Sequence, residues 1–176
     1  MTMSDLIAVM NHGKYEQLGD PETLYERPAT RFAAAFLGVS NLLGGECQGT
    51  ADGLGVIELS DGTVVKAPAA AVYGRTTVDV GVRPEKIRLH HDGAEIPSGH
   101  NQLRGVVADA SYLGVSTQYI VETRGGARVT VYEQNIERTT KEELWSRGDQ
   151  VHLTWIPDHT FVVEAGAAVV AVPADE

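Results

Sequence analysis

The spacing of apolar positions changes along the chain, from alternation to a helical period and back to alternation. From Leu6 to Leu18, Ile7 and Val9 on one side and Tyr15 and Gln17 on the other flank Asn11-His12-Gly13. A period of two puts successive side chains on opposite faces of a strand, and Asn and Gly tolerate the positive backbone angles of a tight connection. Residues 6–18 are therefore expected to form a β-hairpin. At Asp20 the pattern becomes helical. Asp20 supplies an oxygen to the free amides of a helix start, Pro21 sits where its missing N–H costs nothing, and Glu22 complements the positive helix end. A short helix is expected from Pro21 to about Glu26. Pro28 restarts the chain, and Phe32, Phe36 and Leu37 share one face of a second helix, whose Ala33-Ala34-Ala35 segment permits close packing and whose stop is Gly38. A lone hairpin is marginal in water, and this one has no partner sheet in its own segment. It is expected to dock on the rest of the chain or on a second copy, and the stretch reads as the tail of a larger domain.

From Asn41 onward the texture is that of an all-β barrel or sandwich: short β-prone runs separated by turn residues. Val56 to Leu59 and Val64 to Lys66 flank Ser60-Asp61-Gly62, a hairpin signal. In Thr77 to Val82 three valines alternate with Thr77 and Asp79, predicting a half-buried strand. Pro84 cannot donate to a ladder, so the sheet should turn a corner at Arg83-Pro84-Glu85-Lys86 before Ile87 and Leu89 resume the alternation. His91 to His100 reads as a surface loop. Gln102 to Ala110, Gln118 to Thr123 and Ala127 to Tyr132 are strand candidates, the last two joined at Gly125-Gly126. Asn135 to Arg147 is more polar, with a short helix expected across Lys141, Glu142, Glu143 and Leu144. Val151, Leu153 and Trp155 alternate with polar residues, and Pro157 to Thr160 turns the chain into Phe161 to Val163, a terminal hairpin. Residues 165–176 lack periodicity and read as a tail.

The segment SDLIAVMNHGKYEQLGDPETLYERPATRFAAAFLGVSN resembles the end of the nucleotide-binding domain of ABC-transporter ATPases of the spermidine/putrescine, iron and sugar importer type. Ser4-Asp5, Ile7 to Met10, Gly19 to Pro21, Tyr25 to Pro28 and Phe32 to Gly38 carry the likeness. The β-rich half is similar to the TOBE domain, the small OB-like barrel appended to many importer ATPases. There the likeness rests on Gly81-Val82-Arg83-Pro84-Glu85, on Tyr112-Leu113-Gly114 with Thr117, and on Gly148-Asp149 with Trp155 and Pro157. The resemblance implies a mainly β fold: an OB-like TOBE barrel over residues 41–164, preceded over 1–40 by a hairpin and two short helices left from the ATPase domain, and followed by the 165–176 tail. The phosphate-binding loop, the water-orienting acid and the switch His of such ATPases are not found: Gly13-Lys14 precedes Tyr15, not Ser or Thr. The chain thus reads as a C-terminal fragment or truncated product that does not hydrolyse ATP alone.

Charge narrows the partners. A formal charge of −10, with only 14 scattered Lys and Arg, argues against nucleic acid and against a basic membrane-binding face. No apolar run approaches the roughly 18 residues of a membrane span. The lone Cys47 reads as a small buried apolar side chain. The six histidines are not at metal-ligand spacings, and no Ser-His-Asp order or carboxylate pair stands out, so no metal, cofactor or catalytic residue is assigned. Arg83 and Glu85, at a Pro-fixed corner, read as a local salt bridge or as a fork for an anion. Ser111, Ser116 and Thr117 beside Gly114 read as a satisfied turn or as an oxyanion site, since some TOBE domains bind such ligands. The candidate ligand or interface residues are Arg83, Glu85, Tyr112, Leu113, Gly114 and Thr117. The resulting expectation is a non-catalytic regulatory and dimerisation region of an importer ATPase. Its expected partners are a second copy, the membrane permease subunits of the full complex, and a small-molecule or oxyanion ligand. Its expected place is the cytoplasm, peripheral at the inner membrane face through the transporter. The alternative is a stand-alone OB-type module for a small ligand.

Overall fold

The computed structural model describes residues 4–135 and 144–165. Strands β1 (Ile7–Asn11) and β2 (Lys14–Gly19) pair as the expected hairpin. Its turn falls on His12 (φ +47°) and Gly13 (φ +77°), one residue later than Asn11, whose Nδ2 instead donates to Glu16 Oε1 at 3.0 Å. Helix α1 (Pro21–Glu26) starts as its sequence dictates, with Thr23 N donating to Asp20 Oδ1 at 2.8 Å. Helix α2 (Arg31–Phe36) is capped by Thr30, whose hydroxyl accepts from Ala33 N at 3.1 Å. The hairpin finds its partner within its own segment, contrary to expectation: the two helices fold back beneath it and bury Val9, Leu24 and Ala33 together. Phe36 is not on that inner face; it is 67% exposed and stacks on Phe32.

The remaining strands are β3 (Asn41–Ala51), β4 (Leu54–Leu59), β5 (Val64–Pro68), β6 (Thr77–Val82), β7 (Arg88–His91), β8 (Asn101–Tyr112), β9 (Ser116–Thr123), β10 (Arg128–Gln134), β11 (Gln150–Trp155) and β12 (Thr160–Glu164), with a one-turn helix α3 (Ala69–Val72) after β5. They form two five-stranded antiparallel sheets, ordered β12-β6-β3-β4-β5 and β10-β9-β8-β11-β7, around one shared core. The expected corner at Pro84 carries the chain from β6 in one sheet to β7 in the other. Pro157 does the same in reverse, from β11 to β12. The two halves of the barrel therefore repeat one motif and exchange their last strands. Asn41 opposes Val82 in the first half as Asn101 opposes Trp155 in the second, and each crossing is a Pro-led 3-10 turn.

Two buried asparagines close the seams between the sheets. Asn41 Oδ1 accepts from Thr130 N at 2.7 Å and its Nδ2 donates to Thr130 O at 2.8 Å. Asn101 treats Lys66 in the same way, at 2.7 and 2.8 Å. A side-chain amide thus imitates one rung of a ladder on β10 and on β5, the outer strands whose backbone groups would otherwise lack partners. Strand β6 is buried on both faces, not on one as its alternation suggested. Helix α2 covers its outer side, where Arg31 Nε lies 2.9 Å from Asp79 Oδ2, and Phe161 packs flat over Gly81, where an added Cβ would fall 2.0 Å from the ring. Residues 136–143 and 166–176, which include most of the expected Lys141–Leu144 helix and nearly all of the tail, lie outside the described residues.

Replacing Asn41 by Leu should destabilise the chain by about 2–4 kcal/mol, because the Thr130 N–H loses its acceptor and the Thr130 carbonyl its donor in a part-buried seam. Urea unfolding measures this, and a loss below about 0.5 kcal/mol would deny the seam its role.

Candidate functional site

Arg83 follows directly on β6, and the ring of Pro84 holds it extended at φ −74°, ψ 141°. From there its side chain enters the amino-terminal segment and is only 1% exposed. Nε and Nη2 donate to Tyr25 O at 3.2 and 2.7 Å, and Nη1 donates to Ala34 O at 3.1 Å, to Gly38 O at 3.2 Å and to the Ser40 hydroxyl. Tyr25 O and Ala34 O belong to the last turns of α1 and α2, where helical carbonyls lack intrahelical donors and carry the negative end of the helix dipole. One guanidinium therefore caps both helices. Gly38 takes φ +151°, a backbone conformation that residues with a side chain rarely adopt, as the chain passes Tyr25 and Arg83.

The rest of the corner reinforces the grip. The guanidinium carbon lies 4.1 Å from the Tyr25 ring centroid, a cation–π contact. The Tyr25 hydroxyl donates to Glu85 Oε1 at 2.8 Å, and Lys86 Nζ lies 3.0 Å from Glu26 Oε1. Burial lowers the pKa of Arg83, while Tyr25, Glu85 and Glu26 act in the opposite direction. Burial, and then the hydrogen bond to Glu85, pushes Tyr25 up to about 12. The expected Arg83–Glu85 salt bridge is not formed, and the Arg83 fork is not offered to an anion: its donors are taken by main-chain carbonyls, and Glu85 is taken by Tyr25.

The second group of candidates forms the β8–β9 tip. Gly114 (φ +85°) makes the turn, leaving Tyr112, Leu113 and Val115 exposed at 71, 56 and 80%. Thr117 is buried, its hydroxyl donating to Asn135 Oδ1 at 2.9 Å, and Asn135 Nδ2 donates to Gly114 O at 2.8 Å. The tip is thus a satisfied turn. Ser111 Oγ donates to Asp109 Oδ2 at 3.5 Å, so the hydroxyls of Ser111 and Thr117 each have a protein acceptor. Glu85 and Arg88 line a groove of about 600 Å³ with Val115 and Ser116 of this turn and with Tyr132 to Gln134; Tyr112, Leu113, Gly114 and Thr117 are not on its wall. Arg83 lies apart from it. Tyr25 and Asn135 were not singled out from sequence. Tyr25 stood inside a quoted motif, but its partners are some sixty residues away in the chain. Among the described residues no group of His, Cys, Asp and Glu is arranged to hold a metal ion.

Residues 80–163 match the TOBE domain family. The chain is 41% identical over 164 residues to the spermidine/putrescine import ATP-binding protein PotA of Thermobifida fusca (strain YX), covering 93% of this chain and 41% of that protein. It is 37% identical over 166 residues to the putrescine transport ATP-binding protein PotG of Escherichia coli (strain K12), covering 93% and 43%. The chain spans about two-fifths of the length of the curated relatives it matches. Among solved structures, the cytoplasmic molybdate-binding protein ModG shares the fold, with a TM-score of 0.62 at 16% identity over 71% of this chain and 96% of that one.

Replacing Arg83 by Met should cost about 3–5 kcal/mol, because several helix-end carbonyls lose a buried charged donor at once. Chemical denaturation gives the value, and a loss under about 1 kcal/mol would refute the shared cap. A second test uses alkali. The folded pKa of Tyr25 is raised from 10.0 to about 12, so its contribution is full below pH 10 and is lost as pH climbs through about 12. Between these values the thermal midpoint of Tyr25→Phe should fall less steeply with pH than that of the parent protein. Parallel slopes would count against the Tyr25–Glu85 contact.

Proposed function

From a chain that carries a TOBE domain and is related over 93% of its length to the carboxy-terminal region of importer ATP-binding subunits, we propose a non-catalytic regulatory and dimerisation role within an ABC importer ATPase. The observation that carries this reading is the buried Arg83. A guanidinium that caps α1 and α2 while fixed by Pro84 to the barrel makes a stiff connection, so a displacement of the barrel is passed to the preceding segment rather than absorbed between them. In the parent subunit that segment would adjoin the ATPase domain. A barrel that joins two copies would then hold two ATPase heads together as they open and close, and a ligand or partner binding one state better would bias the cycle.

The exposed apolar tip of Tyr112, Leu113 and Val115 is the dimer contact in this reading, because one self-complementary patch suffices for a closed two-fold pair. The permease would meet the full subunit, and the solute would be selected by components other than this chain. No helix among the described residues is long and apolar enough to cross a membrane. Cytoplasmic residence, peripheral to the membrane through the transporter, is part of the proposal.

The second reading, a free-standing small-ligand module, draws on the fold shared with the molybdate-binding protein ModG and on the groove lined by Glu85, Val115 and Ser116. The acidic Glu85 and Glu133 on its wall weigh against that groove as an anion site.

Light scattering coupled to size exclusion should give twice the mass of one chain at micromolar concentrations and above, and Leu113→Glu should return it to one. A single-chain mass for the parent protein throughout would reject the dimer. Calorimetry should detect no micromolar ATP binding, and measurable affinity would reject the non-catalytic assignment.

A further inference from the structure

The outer face of the β10-β9-β8-β11-β7 sheet carries a feature that the regulatory reading does not use. Arg124 N donates to Arg104 O at 3.3 Å across β9 and β8, and His152 on β11 stands directly opposite Arg104 on its other side. One cross-strand row therefore reads Arg124, Arg104, His152. Like charges facing one another across a ladder repel, and a sheet of a protein with net charge −10 has no shortage of acidic residues with which to avoid this. Among the described residues neither guanidinium has a side-chain hydrogen bond or ion pair. At the equivalent rungs of the other half of the barrel stand Ser60, Gly44 and Asp79, and there Arg31 of α2 covers Asp79. The two halves share a backbone motif, and only this face gathers bases.

The row borders a cavity of about 330 Å³, with Glu122, Gln150 and Asp92 also on its wall. His152 is 5% exposed and both ring nitrogens are engaged, one with the Gln102 amide and Nε2 with Asp92 Oδ1 at 2.9 Å. That bond fixes the imidazole as a wall and keeps Asp92 ionised, and its carboxylate, which also feels Arg104 and Arg124, is a second negative charge that an incoming anion must offset. Arg104 and Arg124 are left as two forks facing one space of small-molecule size. Glu122, one rung away, is the only opposing carboxylate on the cavity wall not held by a described partner.

We propose that this cavity binds a small dianion of the phosphate class, bridged between the Arg104 and Arg124 guanidinium groups. A dianion neutralises both charges and matches the planar forks. The cavity is too small for a folded partner, and the flanking Glu122 sets a limit on affinity.

Calorimetric titration of the full chain with inorganic phosphate, at ionic strength held constant with chloride, tests the site. Saturable binding of one phosphate per chain is expected. Arg104→Gln and Arg124→Gln should each weaken it about tenfold or more, and Arg104→Lys, which keeps the charge and loses the fork, should fall between. Glu122→Gln should tighten it. Circular dichroism confirms that these exposed variants fold. Absence of saturable binding, or binding indifferent to both arginine substitutions, would overturn the proposal. So would capture of a hexaglutamate peptide through the same arginines without any binding of phosphate, because the face would then be a protein contact.

Discussion

Two short helices end against one buried guanidinium, and most of what is distinctive in this chain follows from how that charge is accommodated. Arg83 cannot give up its proton, so its burial is tolerable only if its donors all find acceptors. The carbonyls at the ends of α1 and α2 need donors for their own reason, and the two deficits cancel. The geometry that brings them together is set by Pro84, which fixes the corner, and by Gly38, whose φ of +151° carries the chain past the side chain. Tyr25 contributes twice, offering its ring face to the cation and its hydroxyl to Glu85. Residues 4–40 are thereby fastened to the barrel by a polar contact with defined directions, supported by the Arg31–Asp79 ion pair and the packing of Ala34 against Phe161 and Val163.

The barrel itself depends on exchange. Each half surrenders its last strand to the opposite sheet, so neither sheet is complete without both halves, and Asn41 and Asn101 stitch the two seams. A core shared in this way couples distant parts of the chain: the strand that follows Arg83 lies beside β11, and the strand after β11 lies beside the one that presents Arg83. A regulatory domain gains from such coupling, because a contact made on one sheet is not isolated from the other. The two outer faces have nonetheless diverged. One is covered by α2, while the other is left to the arginine row.

Local chemistry was legible in the sequence wherever the deciding interaction is local. Asp20-Pro21 start α1 and Pro84 turns the corner through their side chains, and Gly125-Gly126 join β9 to β10 through the backbone freedom of glycine. The burial of β6 on both faces was not legible, because its alternation of Val with Thr and Asp is that of a one-sided strand, and the covering helix lies more than forty residues earlier. The partners of Arg83 were not legible, either as a local salt bridge or as a fork for an anion. Sequence proximity suggested Glu85, whereas the fold supplies carbonyls from Tyr25, Ala34 and Gly38. Asn135, which accepts from Thr117 and donates to Gly114 O, gives no local signal. The repeat escaped notice because the two halves share positions such as Asn41 and Asn101 rather than extended runs of identical residues.

Native-state hydrogen exchange followed residue by residue tests the central claim most directly, that Arg83 makes the amino-terminal segment and the barrel one cooperative unit. The account predicts that the amides of Leu24, Ala34 and Leu37 open with the same free energy and the same denaturant dependence as those of β6, and that in Arg83→Met they open separately and more readily. Amides of α1 and α2 that already exchange independently of β6 in the parent protein would contradict it.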